Sequence, residues 1–100
     1  MVAYLIAEMT VHDREGYNRY ARQSPSVVKK FGGRYLARGG AIETVEGTAP
    51  LSRVVVVEFP SMERAKAFYY SKEYQAICPI RLAAVDSRLF FTEGVLEPVS

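Results

Sequence analysis

Apolar residues recur with two different periods along this chain. Residues 3–9 are apolar on both alternating sets, Ala3/Leu5/Ala7/Met9 and Tyr4/Ile6, the pattern of a strand covered on both sides. From Asp13, a residue type that caps helices, Tyr17, Tyr20, Ala21, Ser24, Val28 and Phe31 follow at helical spacing, with Glu15 four residues ahead of Arg19. Ser24-Pro25-Ser26 interrupts that run. Proline has no N–H to bond to the preceding turn, so a kink or a break into two segments is expected there. Gly32-Gly33 ends the helix, because glycine accepts the positive φ that follows a last turn.

Residues 34–37 read as a second strand, at the edge of its sheet. Gly39-Gly40, in its continuation towards Val45, marks a bulge or a place where another group comes close to the backbone. After a turn at 46–50, Arg53-Val54-Val55-Val56-Val57-Glu58-Phe59 is the strongest strand signal in the chain, and its four valines imply burial on both faces. Pro60 stops this strand and Ser61 caps a second helix whose Met62, Ala65, Phe68 and Tyr69 face inward. A further helical stretch from about 72 to 84 is expected to break near Cys78-Pro79. Residues 87–93 supply a fourth strand through Leu89, Phe90 and Phe91, ended by Gly94.

The element order is βαββαβ. Short connections and right-handed crossovers turn it into an α+β, ferredoxin-like domain: one four-stranded antiparallel sheet, helices on one face, strands 1 and 3 in the centre. Residues 1–95 form this single domain and 96–100 a C-terminal tail. Helices on one side leave the second set of strand side chains uncovered. A homodimer that packs the two open faces together, about a two-fold axis, is the simplest cover.

Composition narrows the partners. With 49% hydrophobic and 24% charged residues the chain is globular, and its net charge of +2 is interspersed along the sequence, so no basic stripe points to nucleic acid. Strand 53–59 also lacks the aromatic pattern of RNA-recognition modules on the same kind of sheet. The first residues carry no basic leader and no apolar stretch long enough to span a membrane, and a cytoplasmic location is expected. One cysteine, Cys78, and one histidine, His12, exclude an internal disulfide and a metal site built from several Cys or His ligands of one chain. Phosphate loops, dinucleotide fingerprints and G-x-S-x-G elbows are absent, so no cofactor is expected.

At Lys30-Phe31-Gly32-Gly33-Arg34-Tyr35-Leu36-Ala37-Arg38-Gly39-Gly40, then Glu46-Gly47, Val57-Glu58-Phe59-Pro60-Ser61 and Tyr69 through Tyr74-Gln75, the chain closely resembles the bacterial domain-of-unknown-function family numbered 1330. The likeness runs nearly the whole length. It implies the dimeric α/β-barrel superfamily, whose relatives include cofactor-independent monooxygenases and muconolactone isomerases. It implies no activity of its own. The turn at Thr48-Ala49-Pro50 departs from the resemblance, which leads one to expect an aromatic residue there.

Seven tyrosines in a chain without tryptophan are the main candidates for chemistry. Tyr4, Tyr20, Tyr35, Tyr69 and Tyr74 fall at positions that can look inward, and with Arg38, Gly39 and Arg81 they are candidate lining for a small-molecule cleft between sheet and helices. Each also has a packing explanation. The tyrosines suit a core with hydroxyls at its rim, Arg38 suits an edge-strand guard or an ion pair with Glu43, and the head of Arg81 suits solvent as well as a cleft mouth. Glu8 and Glu58 end the central strands as solvated carboxylates or as bases, His12 assists a helix start, and Cys78 suits a core. The expected function is binding of a small aromatic or carboxylate metabolite, with isomerase-like or monooxygenase-like chemistry that needs no cofactor. The alternative is a non-catalytic ligand sensor or structural dimer module.

Overall fold

The computed structural model describes residues 1–95; the tail expected at 96–100 lies outside them. Seven elements follow in order: β1 Ala3–Val11, α1 Arg14–Lys30, β2 Arg34–Arg38, β3 Arg53–Phe59, α2 Met62–Tyr69, α3 Lys72–Ala84 and β4 Val85–Glu93. The strands form one antiparallel sheet in the order β2-β3-β1-β4, with the two strands of doubly apolar pattern in the centre. This is the ferredoxin-like α+β arrangement, with three helices against one face.

Parity decides which face is which. Ala3, Leu5, Ala7 and Met9 of β1 and Val55, Val57 and Phe59 of β3 are buried, and they share one core with Tyr17 and Val28 of α1, Ala65 and Phe68 of α2, and Tyr74 and Ile77 of α3. Rings knit this core, with Phe68 centred 5.2 Å from Phe59 and 4.6 Å from Tyr74. The opposite set is only partly covered. Ile6 of β1 stands between Val56 of β3 and Phe90 of β4, and Phe90 is 47% exposed. Two ion pairs flank these apolar residues, Arg34 to Glu58 and Arg88 to Glu8, each at 2.8 Å.

Side-chain caps start all three helices: Asp13 accepts from the Gly16 amide, Ser61 from that of Arg64 and Ser71 from that of Tyr74. Neither helix is divided into two segments at its proline. Helix α1 runs unbroken through Pro25 and α3 through Pro79. The carbonyl that Pro25 cannot reach belongs to Ala21, four residues back, and it accepts a hydrogen bond from Nη2 of Arg38 at 3.0 Å. Around Pro79, Ile77, Cys78 and Arg81 are buried, so packing holds the helix where its ladder is weakened. The bulge also moves: it lies between Tyr35 and Ala37 rather than at Gly39-Gly40. Strand β2 stops at Arg38 instead of continuing towards Val45, because Gly39 adopts a φ of 76° that turns the chain out of the sheet. Among the described residues no helix is long and apolar enough to cross a membrane.

Candidate functional site

Tyr17 and Tyr20 lie one turn apart on α1 and face α3 across the core. Their ring centroids are 6.0 Å apart, Tyr20 is centred 6.1 Å from Tyr74 of α3, and the two hydroxyls of Tyr20 and Tyr74 are 2.7 Å apart. Arg81 follows Tyr74 by two helical turns and so shares its face. It is 3% exposed. Its Nε donates to the Tyr74 hydroxyl at 3.1 Å and its Nη1 to the Ser87 hydroxyl at 2.7 Å, while Nη2 lies 3.5 Å from the sulfur of Cys78.

None of these partners carries a negative charge. The three ion pairs among the described residues are Arg34–Glu58, Arg88–Glu8 and Lys30–Glu73, and none involves Arg81. A guanidinium cannot shed its proton, and burying it without a counter-charge costs several kcal/mol by general estimates. Its hydrogen bonds have a direction. Nε can only donate, so the Tyr74 oxygen accepts; Tyr74 is then left with its own hydrogen in a buried place, and Tyr20 is its partner. Arg81 thus polarises Tyr74, whose hydroxyl adjoins that of the half-buried Tyr20.

Burial pushes the phenol of Tyr20 up from its ordinary value, and the adjoining Tyr74 pushes it further. Burial likewise raises Tyr74, against the opposing pull of Arg81, and raises Tyr69, which also feels Cys78. A phenol whose folded value lies above the unfolded value of 10.0 stabilises the fold fully below pH 10. That contribution is lost as pH rises through the folded values. Alkaline titration followed by tyrosinate absorbance is therefore expected to show late-ionising phenols that ionise together with unfolding, and Tyr20→Phe is expected to remove one of them. A titration identical for wild type and Tyr20→Phe above pH 10 contradicts the burial of this pair.

A second arginine closes the other end of the row. Arg53, at the start of β3, donates from Nε to the Tyr17 hydroxyl at 2.9 Å and sets its guanidinium 5.3 Å from the Tyr17 ring centre. The space it fills is the one Gly39 leaves empty: a Cβ on Gly39 would lie 2.0 Å from Nη1 of Arg53. Strand register puts Arg53 and Ser87, the partner of Arg81, on either side of Met9 in one transverse row. Two strand spacings separate them, about 10 Å.

Of the residues singled out in the sequence, Tyr20, Tyr69, Tyr74 and Arg81 come together, the Tyr69 ring lying 5.3 Å from that of Tyr74. Tyr35, Arg38 and Gly39 lie on and just after β2, where the Arg38 guanidinium sits 4.7 Å from the Tyr35 ring centre. Tyr4 does not belong here. It is on the odd-even set of β1 opposite to the helices, paired with Glu58 and Thr92, because Ala3, Leu5, Ala7 and Met9 take the helix side. Arg81 reaches neither solvent nor a cleft mouth, and Arg38 pairs with the Ala21 carbonyl rather than with Glu43. Glu8 and Glu58 are held by arginines, His12 is exposed with its amide bonded to the Ala84 carbonyl, and Cys78 is buried beside Arg81.

An open cleft of about 310 Å³ lies along β4, lined by Tyr69, Tyr70, Leu89, Phe90 and Phe91. That is within the range of small-molecule sites. Tyr69 forms its wall nearest the row. The sequence reading missed Tyr17, Arg53 and Ser87. For Arg53 a signal existed: it shares parity with Val55 and Val57, so it points to the helix side.

No curated protein sequence matches the chain. Solved structures do. The RPA0582 protein of unknown function from Rhodopseudomonas palustris superposes with a TM-score of 0.77 at 22% identity, covering 97% of this chain and 84% of that one. SnoaB, a cofactor-independent oxygenase from Streptomyces nogalater, gives 0.67 at 7% identity over 96% and 95% of the two chains. The de novo designed protein Foldit4 gives 0.59 at 11% identity over 95% and 100%. At these identities the likeness is one of fold, and a designed chain shares it. Residues 2–95 match the family model described as Domain of unknown function (DUF1330), and the chain belongs to that family.

Proposed function

We propose that this chain is a cytoplasmic homodimer, joined through the open sheet face, that binds a small carboxylate-bearing or aromatic molecule where the tyrosine row meets the helices and sheet. The reading includes proton transfer or oxygenation without a cofactor. Its main support is Arg81: a cation 3% exposed whose described partners are two hydroxyls and a thiol. An anionic ligand near the row supplies the missing counter-charge, and the half-buried phenol of Tyr20, backed by Tyr74 and protonated at neutral pH, presents a hydrogen-bond donor to a developing oxyanion. The cleft beside Tyr69 offers room for a ring. SnoaB is a cofactor-independent oxygenase on the same fold, which makes such chemistry compatible with the architecture.

A second reading has one observation in its favour. No buried side-chain nitrogen or oxygen among the described residues lacks a hydrogen-bond partner, as a sensor or structural module with a self-sufficient core requires. A thermal-shift panel of aliphatic and aromatic carboxylic acids separates the two. At a concentration 100 times Kd, a ligand is expected to stabilise the fold by about 2.7 kcal/mol. An acid that raises the melting temperature supports binding; a panel in which none does leaves the structural module as the function.

A further inference from the structure

The row has an arginine at each end, and their nitrogens are differently committed. All three of Arg81 are engaged, by Tyr74, Ser87 and Cys78, and the side chain is sealed in the core. Arg38 gives Nη2 to the Ala21 carbonyl, where it replaces the amide that Pro25 lacks. Arg53 alone of the three spends only Nε, on Tyr17, and among the described residues its two Nη groups have no acceptor. It is half-buried rather than sealed. Its position is fixed from two sides, by the Tyr17 ring below and by the backbone of Gly39, whose bare Cα leaves the clearance for Nη1.

A planar fork with both outer nitrogens uncommitted, held rigidly at a partly open site and with no acid paired to it, is the geometry that binds a carboxylate through two parallel hydrogen bonds. Arg81, by contrast, acts from behind. It polarises Tyr74 and Tyr20 without touching the ligand. Resting on the binding function proposed above, we infer that Arg53, seated against Gly39 and Tyr17, is the residue that grips the ligand, and that the ligand is a monocarboxylate whose remaining atoms lie along the Tyr17–Tyr20 side of the row. Gly39 is then a specificity-determining position: any side chain there displaces the guanidinium.

Benzoate and its neutral analogue benzamide are suitable probes. Binding is read from the assigned arginine Nε–H signals in proton–nitrogen NMR spectra, with oligomeric mass measured in parallel to show that the variants remain folded. Benzoate is expected to shift the Arg53 signal more than that of Arg81, and benzamide to bind at least about tenfold more weakly, as loss of a charge-assisted pair requires. Arg53→Gln is expected to weaken benzoate by about tenfold or more, and Arg38→Gln by less than about twofold. Gly39→Ala, which crowds Nη1 and strains a φ of 76°, should mimic Arg53→Gln; if it fails to fold, Arg53→Gln decides alone. Benzoate that binds wild type and Arg53→Gln equally, or benzamide that binds as well as benzoate, overturns the assignment to Arg53 while leaving a binding function. If benzoate and the acid panel all fail to bind wild type, the binding function and the assignment to Arg53 fall together.

Discussion

Tyr74→Phe removes one oxygen and is expected to lower the melting temperature by roughly 10 °C, a loss of about 2 kcal/mol in a domain of this size. The ring is fully packed, against Phe68, Tyr69 and Tyr20, and phenylalanine keeps that packing. What is lost is the acceptor for Nε of Arg81. A charged donor in the core without an acceptor is costlier than an absent charge, so the damage is expected to be largely undone when the charge goes too. Tyr74→Phe combined with Arg81→Met is therefore expected to recover most of the lost stability, a strongly non-additive pair in a double-mutant cycle. Chemical denaturation of the four proteins measures it. Additive effects, or a Tyr74→Phe protein as stable as wild type, show that Arg81 does not depend on Tyr74.

Ile6→Asp is expected to prevent formation of the proposed dimer. Ile6 is the central residue of the open face, between Val56 and Phe90. It is only partly covered within one chain, so the aspartate remains wetted and the isolated fold survives. Packed face to face about a two-fold axis, each dimer would bury two carboxylates with no cation between them, because Arg34 and Arg88 are committed to Glu58 and Glu8. At several kcal/mol for each uncompensated ion, the dissociation constant is expected to rise more than about a thousandfold. Light scattering at micromolar concentration should give a mass near twice 11.2 kDa for wild type and near 11.2 kDa for the variant. A wild-type mass of one chain removes the dimer from the proposed function.

The fold was legible because its signals were local and mutually consistent. Doubly apolar runs named the central strands, Asp13 and Ser61 named helix starts, and glycines marked the ends. The errors came where tertiary contacts override local preference. Proline at position 25 reads as a break, and only the folded chain shows that Arg38, from an edge strand, supplies the missing bond. The site was legible in kind and not in membership. Tyrosine content pointed to phenols, and the i, i+7 spacing of Tyr74 and Arg81 was visible, but parity alone could not say which set of β1 faces the helices, and Tyr4 fell on the other side. Arg53 was masked by the valine run that follows it, and Ser87 by its ordinary polarity. Their roles depend on strand register, which no short window of sequence contains.

The Arg38 bond also ties two elements that would otherwise open separately. Edge strands and helix midpoints normally differ in how readily they come undone, the first fraying often and the second rarely. Here a rung of the α1 ladder is supplied by β2, so peeling the strand away hands the Ala21 carbonyl from Arg38 to water. The most exposed strand of the sheet thereby gains a tether to the longest helix at the residue next to Gly39.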